Sequence, residues 1–206
     1  MRQGPTDPKV VVKVGGSLLL WPEFPPRLEA YLETLKNDHP VLVVGGGPAA
    51  DFIREVDSAH ELGEERSHAL AIRTLDLTAH VLASLIPGLC AVSRPKEIPN
   101  VFGDRLIPVF APRWFLDNVD RGGNDPLKAS WEVTTDSIAA RIAESLGADR
   151  LVLLKSTDAK GAKSAKDAAK LGVVDASFPE ISARIKRVEL VNFRANPRTL
   201  DVLNPA

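Results

Sequence analysis

The sequence predicts an α/β protein in which a mainly parallel sheet carries helices on its faces. Three observations lead there. The runs Val10-Val11-Val12-Lys13-Val14, Val41-Leu42-Val43-Val44 and Leu151-Val152-Leu153-Leu154 are apolar at successive positions, as strands buried on both faces of a parallel sheet are. Two of these runs end directly in glycines, Gly15-Gly16 and Gly45-Gly46-Gly47. Helical spacing follows each turn, so a strand, glycine turn and helix occur twice near the start of the chain, a βαβ rhythm. The 206 residues suffice for one substantial core, and no stretch reads as a linker, so residues 1–206 are expected to form a single domain.

Taken in order, the strand at 10–14 leads into Gly15-Gly16-Ser17, and Pro22, Pro25 and Pro26 suit the entry to a helix over 27–36, where Leu28, Tyr31, Leu32 and Leu35 share a face. The strand at 41–44 ends in the triple glycine, and a helix follows over 49–62. A long helix runs from Ser67 to about Ile86, with Leu70, Leu77, Val81 and Leu85 as its apolar stripe. Residues 89–110 read as short strands with turns, clearest at 107–109, and 111–119 as a short helix. The polar loop 120–126 precedes a helix over 138–146 that Gly147 ends. After the strand at 151–154 comes a lysine- and alanine-rich segment, 155–170. Residues 172–179 form a loop before a short helix, 188–191 the final strand and 197–203 a terminal helix.

Composition narrows the function. A net charge of −1 argues against a dedicated nucleic-acid binder. The lone cysteine, Cys90, excludes an intramolecular disulfide and fits a reducing compartment as a small buried hydrophobe. No apolar run approaches the length of a membrane span, and residues 1–8 are polar without a signal-peptide core. A cytoplasmic protein that binds neither membrane nor nucleic acid is the expectation.

Chemistry-bearing residues recur at the ends of strands or the starts of helices: Lys13 with Gly15, Gly16 and Ser17; Gly45, Gly46 and Gly47; Thr134, Thr135 and Asp136; and Lys155, Ser156, Thr157 and Asp158. Ligands of parallel sheets gather at the carboxyl ends of the strands. A glycine turn lets backbone amides face an anion, and Lys13 adds a positive charge. Either turn alone is equally compatible with a plain strand-to-helix corner. Both together, with a lysine and an aspartate, suit two adjacent anion sites and phosphoryl transfer between them.

This set of motifs resembles the amino acid kinase family over nearly the whole chain: Lys-x-Gly-Gly-Ser, a strand ending in Gly-Gly-Gly, a Thr-Asp before a helix, and a strand ending in a Thr-Asp loop. Within it, the chain looks most like the short 5-(aminomethyl)-3-furanmethanol phosphate kinases of methanofuran biosynthesis. That narrower match rests on Ser67-His68-Ala69-Leu70-Ala71-Ile72 with Asp76-Leu77, Ser130-Trp131 ahead of Thr135-Asp136-Ser137, and 175–179. The resemblance implies a three-layer αβα sandwich and an ATP-dependent kinase acting on a small phosphate monoester, with Mg²⁺ riding on the ATP phosphates. It also implies assembly as a homo-oligomer. Lys13 would touch the transferring phosphoryl group, and Asp136 would orient Lys13 and a second lysine, for which Lys186 is the candidate. Gly15, Gly16, Ser17, Lys155, Ser156, Thr157 and Asp158 would hold the nucleotide. Gly45, Gly46 and Gly47 would hold the acceptor phosphate.

For the acceptor, Arg54 could reach back to the phosphate or be solvated, and His68 could face the acceptor or pack at its helix start. Trp131 and Phe178 could flank a flat ring or sit in the core. Asp76 or Asp175 could meet an ammonium group or be surface charges. The chain departs from the family at Thr157-Asp158-Ala159-Lys160-Gly161, which lacks the usual aromatic after it, and at Phe193-Arg194-Ala195-Asn196, where a glycine turn is expected. Two other readings remain open. One is a different acceptor, such as uridylate, a carboxylate or isopentenyl phosphate; for the last, 48–54 lacks the expected histidine. The other is a nucleotide- or oxyanion-binding protein without turnover.

Overall fold

The structure, a computed structural model, describes residues 7–204; the polar start at 1–6 lies outside them. β1 (Val10–Val14) passes through a single 3-10 turn into α1 (Phe24–Glu33), and β2 (Pro40–Val44) into α2 (Pro48–His60). α3 (Glu64–Leu85), β3 (Leu89–Val92), α4 (Ile98–Gly103) and β4 (Ile107–Phe110) follow, then a short turn of helix, α5 (Arg113–Phe115), continued by a π-helical turn. The second half holds α6 (Thr135–Leu146), β5 (Arg150–Lys155), α7 (Ala165–Lys170), α8 (Phe178–Ser182), β6 (Arg187–Asn192) and β7 (Thr199–Leu203). The described residues form one seven-stranded sheet in the order β3-β4-β2-β1-β5-β6-β7. Its ladders are parallel except for β7 against β6.

Period-two alternation along the central strands explains the three layers. Val10, Val12 and Val14 of β1 join Leu42, Val44, Val152 and Leu154 in one core, covered by Phe24, Leu28 and Leu32 of α1. Val11 joins Val41, Val43, Leu151 and Leu153 in the other, covered by Ile138, Ala139 and Ile142 of α6. Lys13 has the parity of Val11, and Lys155 that of Leu153. Both lysines therefore project on the α6 side from adjacent parallel strands. α6 runs back against the sheet to feed β5, so its N-terminus lies at the strands' carboxyl ends.

Two expectations need correcting. The stripe Leu70, Leu77, Val81 and Leu85 of α3 does not face the core: these side chains are exposed, Leu77 by 57%. The inward face is instead Ala71, Leu75, Thr78, Ala79 and Leu82. The Thr78 hydroxyl donates to the Leu75 carbonyl, so a polar side chain sits there without an unmet hydrogen bond. The segment 197–203 is not a helix; β7 occupies the open edge of β6, where an antiparallel ladder satisfies backbone groups a helix would leave exposed to solvent there. The lysine-rich segment contains α7, capped by the Ser164 hydroxyl, which accepts from the Asp167 amide.

Candidate active site

Two glycine turns leave the sheet side by side. β1 and β2 are in register through Val14 and Val44, and each ladder continues one residue further: Gly15 N–H donates to the Leu154 carbonyl and Gly45 N–H to that of Val14, both at 2.9 Å. These two amides are therefore unavailable to an anion, contrary to the role assigned to Gly15 and Gly45 from sequence. The N–H groups of Gly16, Ser17, Gly46 and Gly47 make no comparable bond among the described residues. The corners touch. A Cβ on Gly16 would lie 2.3 Å from the Gly47 nitrogen and 2.4 Å from the Gly45 carbonyl oxygen. Gly47 has φ +52°, which a side chain would strain.

Above the corners sits a buried cluster of three charges. Lys13 Nζ lies 2.9 Å from Asp136 Oδ1, and Lys155 Nζ donates to Oδ2 at 2.6 Å; all three side chains are at most 15% exposed. Burial alone would push the Asp136 carboxyl up, but the two ammonium groups outweigh it and hold it at about 2. Lys155 is drawn down to about 8 by burial and by the Lys13 charge, against the pull of Asp136. Asp136 lies in the first turn of α6, where the helix dipole favours a carboxylate. That turn is fixed by the Thr134 hydroxyl, which accepts from the Asp136 amide, and by Asp175, whose Oδ2 accepts from the Thr134 and Ser137 amides at 3.0 and 3.1 Å.

A cavity of about 170 Å³ opens beside this cluster, lined by Lys13, Gly16, Gly45, Gly46 and Gly47 below and by Arg54, His68 and Trp131 above. The Arg54 guanidinium stacks 4.7 Å from the centre of the Trp131 ring and pairs with Asp51 at 2.6 Å. Trp131 is anchored by its indole N–H, which donates to the Ser67 hydroxyl at 3.1 Å, and by Glu64, whose Oε1 accepts from its amide. His68 Nε2 lies 3.2 Å from the Val133 carbonyl, and burial pushes the ring toward its neutral form. The cavity thus presents one free-standing cationic cluster, unpaired amides and an aromatic wall, the elements of an oxyanion pocket next to a group that stabilises developing negative charge.

A family model described as the amino acid kinase family matches residues 8–177. The chain belongs to the amino acid kinase family. This kinase is 28% identical, over 94% of its length and 92% of the relative's, to the [5-(aminomethyl)furan-3-yl]methyl phosphate kinase of Methanocaldococcus jannaschii. It is 31% identical to the uridylate kinase of Methanobrevibacter smithii over 73% of this chain, but spans only 63% of that relative. Among solved structures, it superposes on the UMP kinase of Ureaplasma parvum with a TM-score of 0.64 at 11% identity, covering 96% of this chain and 99% of that one. The uridylate kinase of Archaeoglobus fulgidus gives 0.61 at 20% identity, with 96% and 91% covered. These neighbours share the fold, and the family makes this chain a phosphotransferase.

The kinase places most sequence-selected residues in one region, with clear exceptions. Lys186 is not the second lysine. It precedes β6 at the opposite end of the sheet, is 75% exposed, and pairs with Asp149 at 2.9 Å. Lys155 takes that place, two residues beyond Leu153, the register partner of Lys13. The signal in the sequence is parity past the run 151–154, which puts Lys155 on the face of Leu153; that this strand lies beside β1 is visible only in the fold. Phe178 is fully buried in the core. Asp76 pairs with Arg113, and Asp175 holds the start of α6, so neither carboxylate stands free. On the other side of β1, Ser17 and Ser156 bring their hydroxyls within 3.3 Å, while Asp158 accepts from Asn192 at 2.9 Å and from Thr199 at 3.1 Å. Thr157 is exposed beside them.

Proposed function

We propose that this phosphotransferase moves the γ-phosphoryl group of ATP onto a small phosphate monoester, forming a pyrophosphate, and that its acceptor is 5-(aminomethyl)-3-furanmethanol phosphate. The observation that carries the reaction is the Lys13–Asp136–Lys155 cluster facing two glycine corners in contact. Donor phosphates sit against Gly16 and Ser17, with Lys155, Ser156, Thr157 and Asp158 along the nucleotide. The acceptor phosphate sits against Gly46 and Gly47, within reach of Arg54. At neutral pH a phosphate monoester is already largely dianionic, so no residue need remove a proton from the attacking oxygen. Asp136 works by holding two ammonium groups where charge develops as the P–O bond to ADP breaks and the new one forms. Mg²⁺ would ride on the ATP phosphates, beside the buried ammonium groups of Lys13 and Lys155, which fit an anionic nucleotide. That ion would neutralise phosphate charge while the lysines position the transferred group.

The methanofuran acceptor is supported by the relative matched along nearly its whole length and by the small cavity walled by Trp131 and His68. The uridylate kinases match a shorter stretch, so UMP is the comparison acceptor. ADP release is measured with each phosphate in turn. Turnover with the furan phosphate and little with UMP supports the proposal; the reverse assigns UMP, and ATP binding without acceptor-dependent turnover assigns a binding protein. Self-association belongs to the same proposal, and light scattering giving the 22.3 kDa monomer mass at micromolar concentration removes it.

A further inference from the structure

The turn after β6, Phe193-Arg194-Ala195-Asn196, contains Arg194. It is held from two sides. Asn192 Oδ1 accepts from the amides of Arg194 and Ala195 at 3.1 and 3.3 Å, and Asn192 Nδ2 donates to Asp158. From α1, Arg27 Nη1 donates to the carbonyls of Phe193 and Ala195, both at 3.2 Å. This fixes where the Arg194 side chain leaves the backbone. Its guanidinium lies 5.8 Å from the centre of the Trp21 ring, with Nη2 3.5 Å from the Ser17 carbonyl oxygen. That contact is long and involves one of five N–H donors. The other arginines nearby differ: Arg27 is occupied by the turn it supports, and Arg198 stacks on Tyr31 and Phe193. Arg194 forms no ion pair with a carboxylate among the described residues, although it is exposed where the loops after β1, β5 and β6 meet.

We propose that Arg194 is a donor-phosphate clamp that grips non-transferred phosphate oxygens of the nucleotide from the side opposite Lys155. The assignment rests on reading the Ser17–Ser156 side as the donor site. The amides of Gly16 and Ser17 have no partner among the bonds of the described residues and are free to meet an anion. Lys155 approaches from the strand end, and a guanidinium over Ser17 completes the enclosure with the bidentate geometry that phosphate accepts. This cation comes from the turn after the last parallel strand. Because the guanidinium addresses the phosphate chain rather than the base, its loss should be felt in proportion to the number of phosphates.

Binding of Mg-ATP, Mg-ADP and AMP to the intact protein by calorimetry tests this with Arg194→Ala, Arg194→Lys and, as a charge-matched control, Arg198→Ala. Arg194→Ala should weaken ATP and ADP about 10-fold or more. AMP should change less than about 3-fold, with Lys recovering part of the loss and the KM for the phosphate acceptor staying within about 3-fold. Arg198→Ala should bind all three as wild type does. Unchanged ATP affinity in Arg194→Ala, equal losses for ATP and AMP, or the same loss in Arg198→Ala each overturn the clamp while leaving the kinase reading intact. A wild-type protein that binds no adenine nucleotide overturns the donor-site reading and the clamp with it.

Discussion

Asp136 stood out in the sequence as part of Thr134-Thr135-Asp136 ahead of a helix, and the family resemblance implied that it orients lysines; the structure puts it in the first turn of α6, between Lys13 and Lys155. Its second lysine did not stand out, because Lys155 reads as part of a loop unless strand parity is followed one residue past the apolar run. Lys186 offered a lysine at a plausible place in the order of the chain, yet the direction of β6 puts it at the wrong end of the sheet. The cluster gives two predictions at this scale. Lys155 is cationic below about 8 and neutral above it. The cation is the form that neutralises transferring charge, so kcat/KM falls as pH rises through about 8. Bound ATP favours the charged form, and the limb in kcat lies higher. Lys155→Arg removes the limb, because a guanidinium keeps its charge; pH–rate profiles of both proteins decide it, and an unaltered limb in the variant assigns the titration elsewhere. Asp136→Asn strands two ammonium groups in a buried site. It should cost about 3 kcal/mol in urea unfolding, the usual scale for breaking a buried pair, and reduce kcat by at least about 100-fold. The carboxylate's own contribution to stability is complete above its ordinary 3.8 and is lost as pH falls through about 2.

Elements show where pattern reading succeeds and where it misleads. The central strands were legible because continuous Val and Leu runs fit burial on both faces and little else. α3 misled because it carries aliphatic side chains on two faces: Leu75 and Leu82 point inward with Ala71, Thr78 and Ala79, while Leu70, Leu77, Val81 and Leu85 are exposed. The difference is measurable. Leu82→Ala, at a fully buried position, should destabilise by about 2–5 kcal/mol. Leu77→Ala, at a position 57% exposed, should stay within about 0.5 kcal/mol by the same denaturant titration. Comparable losses at both sites would mean that Leu77 is covered in solution. The end of the chain misled for another reason: residues 199–203 fold as a strand because β6 offers an open edge, a partner that no local window of sequence displays.

At the scale of the molecule, parallel register makes the site. Two strand ends in step bring two glycine corners into contact, and the helix that returns the chain to the next strand delivers its N-terminal carboxylate above them. The sequence carried the glycines but not their contact, which depends on β1 and β2 being neighbours. That contact leaves no room for a methyl group on Gly16, where a Cβ would lie 2.3 Å from backbone that cannot swing aside. Gly16→Ala must therefore part the corners or tilt one strand end. In-line transfer is sensitive to displacements of about 1 Å, so a protein that still folds should lose about 100-fold in kcat. Its ATP affinity should fall as well, because the moved backbone carries the Gly16 and Ser17 amides that hold the donor phosphates, so kcat is read at saturating nucleotide. Gly88→Ala provides the control for a backbone change alone. Gly88 also has positive φ, has open space around it and precedes β3 at the end of the sheet opposite the corners, so it should cost stability without changing kcat per folded molecule. Circular dichroism to count folded protein and steady-state kinetics at saturating ATP separate the two effects. Equal kcat for Gly16→Ala and wild type would show that the contact between the corners does not set the alignment of phosphorus and attacking oxygen.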